Sequence, residues 1–195
     1  MAAQTRDRIV EHSSQLFRRQ GFAATGMKQI VAEARAPFGS VYHFFPEGKE
    51  QLGVEAIRWS GSIYGALIDA FYSPGADPVE ATVAFFAGAA QTLRETDYAD
   101  ACPIATIALE VSSTSEPMRK ACAEVFESWV QAAAERFLQA GMPALRARDT
   151  ATALLCSLEG AFVLARARRE TEPVEVAGRC AAALVREAMA SPTST

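Results

Sequence analysis

The segment at residues 36–50, APFGSVYHFFPEGKE, contains polar side chains that can bind a partner and aromatic side chains that can pack in a core. Its serine, tyrosine, histidine and lysine side chains can donate hydrogen bonds to phosphate oxygens or to base edges. Its phenylalanines need an apolar scaffold, while Gly39 and Pro46 are unsuited to a core helix. The mixture predicts a short element that packs through its rings and offers a polar side to a partner.

Catalytic motifs are not supported by the spacing of the reactive residues. A phosphate-binding loop ending in Gly48-Lys49 would need a glycine five residues earlier and a hydroxyl afterwards, but those places hold His43 and Glu50. No G-x-S-x-G motif occurs, and His12 has no nucleophile at a useful helical spacing. The sequence therefore predicts that the protein is not an enzyme.

Metal and cofactor sites are not expected either. The 4 cysteines form no CxxC pair, and only 2 histidines accompany them, so small thiols in a reducing cytosol are the simpler interpretation. Glu110 and Glu159 lie in apolar helical segments and could be ligand-binding acids. The alternative is that each is an exposed or arginine-paired helix acid.

Composition and charge favour an ordinary globular protein of the cytoplasm. Of 195 residues, 50% are apolar and 22% charged, and neither an N-terminal apolar signal nor about 18 uninterrupted apolar residues occurs. The net charge of −4 divides into +2 for residues 1–50 and −6 for the remainder. A basic first quarter is compatible with a nucleic-acid partner.

Helical periodicity dominates the chain and predicts an all-α fold of nine helices. The first helix spans 5–20 and stops at Gly21, the second runs from an N-cap at Thr25 to residue 33, and the third spans 38–45. Two short helices joined by a short turn form a helix-turn-helix pattern. The other six helices are predicted at about 49–72, 78–96, 104–112, 116–141, 147–170 and 173–190, followed by a disordered tail at 191–195.

The third helix has the composition of a recognition helix. Gly39 and Ser40 at its start would let the backbone approach a major groove, while Val41 and Phe44 or Phe45 would face the scaffold. The starts of the second and fourth helices add backbone amides for phosphate. Plain packing is the alternative for Tyr42 and His43. The predicted DNA-binding residues are Thr25, Gly26, Lys28, Pro37, Phe38, Gly39, Ser40, Tyr42, His43 and Lys49.

Residues 5–55 resemble the DNA-binding head of TetR-family transcriptional regulators. The resemblance rests on FAATGMKQIVAEA at 22–34 and PFGSVYHFFPEGKEQL at 37–52, above all on G-S-x-Y-H-x-F followed by K-E-x-L. The extra glycine in F-P-E-G-K and the run ACPIATIALE at 101–110 resemble the subgroup of lincomycin-resistance and flavonoid-responsive repressors. Arg35 stands where a glycine is usual, and Phe38 stands where a lysine is frequent, which suggests a different operator.

The resemblance implies a nine-helix, two-domain TetR-like fold. The expected divisions are a DNA-binding domain at 1–48, a ligand-binding and dimerisation domain at 49–190, and the tail. It also implies a homodimer in which the last two helices form a four-helix bundle with their symmetry mates. The small residues expected there are Ala153, Ser157, Gly160, Ala161, Ala165, Ala177, Ala181 and Ala188. Ordinary packing within one chain is the alternative for these residues.

The implied effector site is an apolar, aromatic pocket in the second domain. Its predicted lining is Trp59, Ile63, Phe86, Cys102, Ile104, Trp129 and Phe162, and core packing is as good an interpretation for any one of them. The sequence thus predicts a cytoplasmic, ligand-responsive regulator, most simply a repressor, that binds a palindromic operator as a dimer. The alternatives are a helical carrier protein without DNA-binding function and, less favoured, an enzyme using Glu110 or Glu159.

Overall fold

The structure, a computed structural model, describes residues 2–190, so the tail predicted to be disordered at 191–195 lies outside the described residues. Within the described part the chain is all-helical with nine helices and no strand, which confirms the predicted fold class. The helices are α1 Ala2–Gln20, α2 Met27–Glu33, α3 Phe38–Phe44, α4 Lys49–Phe71, α5 Pro78–Glu95, α6 Pro103–Val111, α7 Glu116–Gln139, α8 Ala144–Arg168 and α9 Glu172–Ala190.

The start of α5 shows why many helix ends follow from local sequence. Asp77 is the N-cap, and its Oδ1 accepts hydrogen bonds from the backbone N–H groups of Val79 and Glu80 at 2.8 and 2.9 Å. Pro78 occupies the first helical position, where its missing N–H is not needed. The aspartate and proline therefore place the helix start as the sequence predicts.

The predicted N-cap of α2 is wrong by one residue. Gly26 is the N-cap, with no side-chain cap, and Thr25 lies just before it. The Thr25 hydroxyl instead donates to the carbonyl oxygen of Gly21 at 2.7 Å and accepts from the Gln20 amide at 3.0 Å. Thr25 therefore stabilises the turn between α1 and α2 rather than the first turn of α2.

The described residues form two compact units. The first unit comprises the chain up to Ile63 together with Ala101–Phe126. It contains α1 to α3, most of α4, all of α6 and the first part of α7. The division predicted between residues 48 and 49 is therefore not the edge of a compact unit, and it stays a prediction about function.

The core of the first unit fixes the helix-turn-helix. α1 contacts α2, α3 and α6, and α2 contacts α3. Aliphatic and aromatic side chains from these helices and from α4 are withdrawn from solvent, which stabilises their packing through the hydrophobic effect. The fully buried side chains include Ile9, Phe17, Ile30, Val41, Phe45, Leu52 and Ile57.

The second unit comprises Tyr64–Asp100 and the described residues from Glu127 onward. Here α9 packs closely on both α5 and α8. Gly178 permits this approach, because a Cβ at that position would lie 2.7 Å from the Cβ of Phe86. Small buried residues such as Ala161 and Ala181 similarly allow α8 and α9 to pack together.

Helix α8 is the one helix in the described part of the chain that is long and apolar enough to cross a membrane by length and composition. Its most apolar 18-residue window has a mean hydropathy of 1.3 and is 33% buried. Core helices of soluble proteins can also have this composition. The buried side of α8 packs on α9.

Candidate nucleic-acid interface

Helix α3 divides its residues between the scaffold and solvent. Val41 within the helix and Phe45 at its C-cap are completely buried, whereas Phe38 and Tyr42 are 46% and 53% exposed. The two exposed rings contact each other edge to face, with centroids 5.7 Å apart. His43 is also exposed and contacts the half-buried Phe44 ring at 5.0 Å. The segment therefore presents Phe38, Tyr42 and His43 outward.

Two glycines, at the starts of α2 and α3, face open space. A Cβ built on Gly39 or on Gly26 would have no non-neighbouring heavy atom of the described residues within 4 Å. Neither glycine has a positive φ, so the backbone does not require glycine at these positions. Pro37, the N-cap of α3, is exposed and Ser40 is half-buried. A partner can therefore approach the backbone at the start of α3.

The turn between α2 and α3 keeps a regular helix-ending geometry despite Arg35. Arg35 has a φ of 48°, in the left-handed region that glycine usually occupies. Its N–H donates to the carbonyl of Ala32 at 3.1 Å, and the Ala36 N–H donates to that of Val31 at 2.9 Å. These two bonds define a Schellman motif, so the arginine accepts backbone strain and the turn is preserved.

Replacing Arg35 by glycine should have opposite effects on stability and on DNA binding. We expect R35G to raise the free energy of unfolding by about 0.5–1 kcal/mol, because it relieves the left-handed strain. If the exposed guanidinium binds phosphate, the same change should lower DNA affinity and reduce the magnitude of the salt-dependence slope by about 1. Denaturant unfolding and mobility shifts at several salt concentrations measure the two effects. Unchanged affinity would show that Arg35 does not contact DNA.

Several basic residues near the helix-turn-helix make hydrogen bonds or ion pairs within the first unit. Arg8 donates from Nε to the carbonyl of Ala34 at 3.2 Å, at the C-terminal end of α2. Arg6 pairs with Glu55 of α4 and lies over the Phe45 ring, 5.5 Å from its centroid. Lys28 and Arg35, by contrast, are exposed on α2 and in the turn. These two are therefore the basic side chains best placed to reach a polyanion.

Lys49 makes a contact that its sequence context did not predict. Its Nζ donates to the carbonyl oxygen of Phe22 at 2.6 Å and lies 4.2 Å from the centroid of the Phe22 ring. Burial lowers the pKa of Lys49, and the nearby charge of Glu110 acts in the opposite direction. Lys49 thus braces the turn between α1 and α2. Its predicted contact with DNA, like that of the buried Thr25, stays a prediction.

The predicted effector-lining residues fall in both units. In the first unit Cys102 and Ile104 are buried, Trp59 is half-buried and Ile63 is exposed. Cys102 is the N-cap of α6, and its sulfur accepts a hydrogen bond from the backbone N–H of Ala105 at 3.4 Å. That contact supports a structural role for Cys102.

In the second unit Phe86 and Trp129 are buried and Phe162 is half-buried. Phe86 packs against Gly178, and the indole of Trp129 lies within 3.4 Å of the place where a Cβ on Gly65 would be. These contacts favour core packing for both residues, and the pocket itself stays a prediction.

An aromatic cluster in the second unit was not predicted. The rings of Tyr72 and Phe137 contact each other edge to face, with centroids 5.4 Å apart. The hydroxyl groups of Tyr72 and Thr82 share a hydrogen bond of 2.9 Å. Burial raises the pKa of Tyr72 to about 12, with the Thr82 contact opposing it, so the phenol stays protonated at neutral pH. Phe71 and Phe85 add a second edge-to-face pair at 5.5 Å and are half-buried. The sequence signal was the adjacent aromatic pairs at 71–72 and 85–86.

The predicted dimerisation residues divide between two sides of α8 and α9. Ser157 and Gly160 are exposed, and Ala153 and Ala177 are half-buried. The remaining four are buried within the chain, which favours the alternative of intramolecular packing for them: Ala161, Ala165, Ala181 and Ala188.

The outer side of α8 carries large apolar side chains that the small-residue pattern did not indicate. Val163 and Leu164 are 58% and 57% exposed, and Val176 on α9 is 38% exposed. Val163 and Leu164 share a helical face of α8 with Ser157 and Gly160. On α9, the exposed Cys180 follows Val176 by one turn. We refer to these exposed residues together as the α8/α9 outer face: Ser157, Gly160, Val163 and Leu164 of α8, and Val176 and Cys180 of α9.

The two acids considered as ligand-binding groups differ in position. Glu110 is exposed at the end of α6 and accepts a hydrogen bond from the backbone N–H of Ala23 at 2.8 Å, in the turn between α1 and α2. It is therefore not a buried pocket acid. Glu159 is half-buried on α8 and has an interaction partner.

A three-helix head with an outward-facing third helix defines a helix-turn-helix DNA-binding regulator. Residues 9–56 match the family described as bacterial regulatory proteins of the tetR family, and residues 78–180 match the transcriptional regulator LmrA/YxaF-like C-terminal domain. The chain belongs to the TetR family of transcriptional regulators, with an LmrA/YxaF-like C-terminal domain. The predicted family and subgroup are confirmed.

Two similar proteins align in sequence with most of the length of this chain. The chain is 35% identical over 183 residues to the HTH-type transcriptional regulator YxaF of Bacillus subtilis, covering 94% of this chain and 96% of that protein. It is 32% identical to LmrA of the same organism, covering 87% and 90%. These relatives are transcriptional regulators rather than enzymes.

Solved structures support the fold. A regulatory protein TetR from Rhodobacter sphaeroides superposes with a TM-score of 0.81 at 22% identity, covering 91% of this chain and 97% of that one. The reduced form of Escherichia coli NemR gives a TM-score of 0.78 at 22% identity, covering 96% and 98%.

Proposed function

We propose that this TetR-family regulator is a cytoplasmic repressor that binds an approximately palindromic operator as a homodimer. Residues 25–49 supply the DNA-binding surface of each subunit. Two such surfaces would meet successive major grooves about 34–36 Å apart, or a related spacing. A small hydrophobic effector would release the DNA by preferring a conformation in which the two surfaces no longer match the operator.

The observation that carries the DNA-binding part is the division of α3 between buried and exposed side chains. Packing alone would explain Val41 and Phe45, which are fully buried, but it does not explain two aromatic rings about half-exposed beside an unobstructed glycine. Large apolar side chains rarely cluster on a protein surface without a partner. Phe38 can contact thymine methyl groups, and Tyr42 can donate its hydroxyl to phosphate.

The effector part of the proposal is supported by composition. Half-buried rings at Phe71 and Phe85 pack beside the buried ring of Tyr72, so the second unit is rich in the aromatic side chains that line hydrophobic pockets. Planar aromatic compounds are the ligand class that such groups would hold. A thermal-shift screen of these compounds, followed by competition with bound DNA, tests this part separately.

The DNA-binding proposal is tested by mobility shifts with a duplex that the parent protein enriches from a random pool. We expect the parent to bind this duplex with an affinity that falls steeply as salt increases. Lys28→Ala should lower the affinity about 5- to 20-fold and change the preferred sequence, because Lys28 is exposed on α2.

Lys120→Ala is the matched control, since Lys120 is an exposed lysine of the same unit on α7. It should bind like the parent. Salt-independent binding, or none, would contradict the proposal and favour a helical carrier protein. Equal losses in Lys28→Ala and Lys120→Ala would show that overall charge, rather than the α2 surface, governs binding.

A further inference from the structure

The turn between α1 and α2, residues 21–25, is held from outside by two charged side chains. The carboxylate of Glu110 accepts from the backbone N–H of Ala23 at 2.8 Å. The ammonium of Lys49 donates to the neighbouring carbonyl of Phe22 at 2.6 Å. One donor and one acceptor of adjacent residues in the turn are thus satisfied by opposite charges from α6 and from the start of α4.

The fit of the Glu110 side chain to this turn is close. A Cβ on Gly21 would lie 1.9 Å from Oε1 of Glu110, so the carboxylate occupies the space that a side chain at residue 21 would need. Gly21 also has a φ of 86°, which other residues rarely adopt. The glycine therefore serves both the direction of the turn and the approach of the carboxylate.

Residues around the start of α7 reinforce the same region. Ser115 contacts Glu50 of α4 through a hydrogen bond of 2.5 Å between its Oγ and the carboxylate. The methyl group of Met118 lies 2.7 Å from the position of a Cβ on Gly53. The segment from Glu110 to Met118 consequently contacts both the turn that precedes α2 and the beginning of α4.

We infer that Glu110 is a positioning residue for DNA binding, which holds the α1–α2 turn so that α2 and α3 present one fixed surface. The inference rests on the proposed operator binding. α2 begins at Met27, only two residues beyond the turn, and α3 packs on α1 and α2. A displaced turn therefore displaces both helices that face the DNA, and small misplacements cost contacts at many phosphates.

The position of Glu110 separates this role from general stability. Glu110 and Ala23 are both exposed, so water can replace the lost partner of either group when the other is removed. Removing the carboxylate should therefore change the melting temperature little. It should release a specific backbone N–H and let the turn sample other conformations.

The experiment compares Glu110→Ala, Glu110→Gln and the matched control Glu124→Ala. Glu124 is an exposed acid of α7 in the same unit, and its carboxylate pairs with Arg58. The measurements are affinity for the enriched duplex at several salt concentrations and the hydrogen-exchange rate of the Ala23 amide by NMR.

We expect Glu110→Ala to lower duplex affinity about 5- to 30-fold, with an unchanged salt slope because no phosphate contact is removed. The Ala23 amide should exchange faster. Glu110→Gln should retain affinity within about threefold, since its amide oxygen can still accept from Ala23. Glu124→Ala should match the parent in both measurements.

Two results would overturn the inference: equal affinity in Glu110→Ala and Glu124→Ala, or an Ala23 exchange rate that the loss of Glu110 leaves unchanged. If the parent itself lacks salt-dependent duplex binding, the proposed function fails at the first step and the role of Glu110 in DNA binding fails with it. Binding by the parent with no effect of Glu110→Ala would refute only the inference.

Discussion

Gly39→Leu should reduce operator affinity about 100-fold while the protein stays folded. A Cβ at residue 39 meets no heavy atom of the described residues within 4 Å, so the added side chain projects into solvent in the free protein. On DNA it would occupy the space between the start of α3 and the base edges. Overpacking costs about 1–3 kcal/mol at each site, and a dimer inserts two such side chains.

Gly39→Ala provides a graded version of the same test. It should lower affinity about 10-fold and raise the free energy of unfolding by about 0.5–1 kcal/mol, because alanine is favoured over glycine in a helix. Stability and affinity would thus move in opposite directions, which a misfolded variant cannot produce. Denaturant unfolding and mobility shifts are the measurements.

Ala123→Leu is the control for added bulk, since Ala123 is exposed on α7 of the same unit. It should leave affinity and stability close to those of the parent. Affinity of Gly39→Leu within about threefold of the parent would show that the start of α3 does not approach the DNA, and the proposed orientation of the recognition helix would be wrong.

Helix positions were predictable from the sequence because local residues set them. Asp77 and Pro78 determine the start of α5 whatever packs against it. The buried face of α1, with Ile9 and Phe17 inward, follows the helical period. The N-cap of α2 is Gly26 rather than Thr25, because the Thr25 hydroxyl accepts from the Gln20 amide and donates to the Gly21 carbonyl, and local propensity does not include these contacts.

The polar contacts around the helix-turn-helix could not be predicted in this way. Lys49 and Phe22 are 27 residues apart, and Glu110 and Ala23 are 87 apart. No periodicity relates such positions. The sequence shows only that Lys49 stands at a helix start and Glu110 among apolar neighbours, and it gives no sign of the turn that the two side chains share.

The small residues of α8 and α9 show a related limit. Helical spacing groups Ala161 with Ala165 and Ser157 with Gly160. It does not indicate which group packs inside its own subunit and which group faces outward. The structure buries the first pair and exposes the second. The large apolar residues Val163 and Leu164 lie with the exposed group, so the outer face is more hydrophobic than the predicted set indicated.

Val163→Glu should convert the proposed dimer to a monomer and strongly weaken operator binding. Val163 is 58% exposed on the α8/α9 outer face, next to Leu164 at 57%. A two-fold interface would bring this face against its own copy, so each dimer would acquire two glutamates in an apolar contact. Desolvating the unpaired carboxylates should weaken association at least about 100-fold, and loss of the second half-site contact should weaken operator binding similarly.

Val83→Glu is the matched control, because Val83 is 50% exposed on α5 of the same unit and lies outside that face. Light scattering after size exclusion should give a dimer for the parent and for Val83→Glu, and a monomer for Val163→Glu. The melting temperature of Val163→Glu should depend less on protein concentration than that of the parent, since its folding no longer draws on association. A dimeric Val163→Glu protein with parental operator affinity would require that the subunits associate through another surface, and Val163 and Leu164 would then need a different partner.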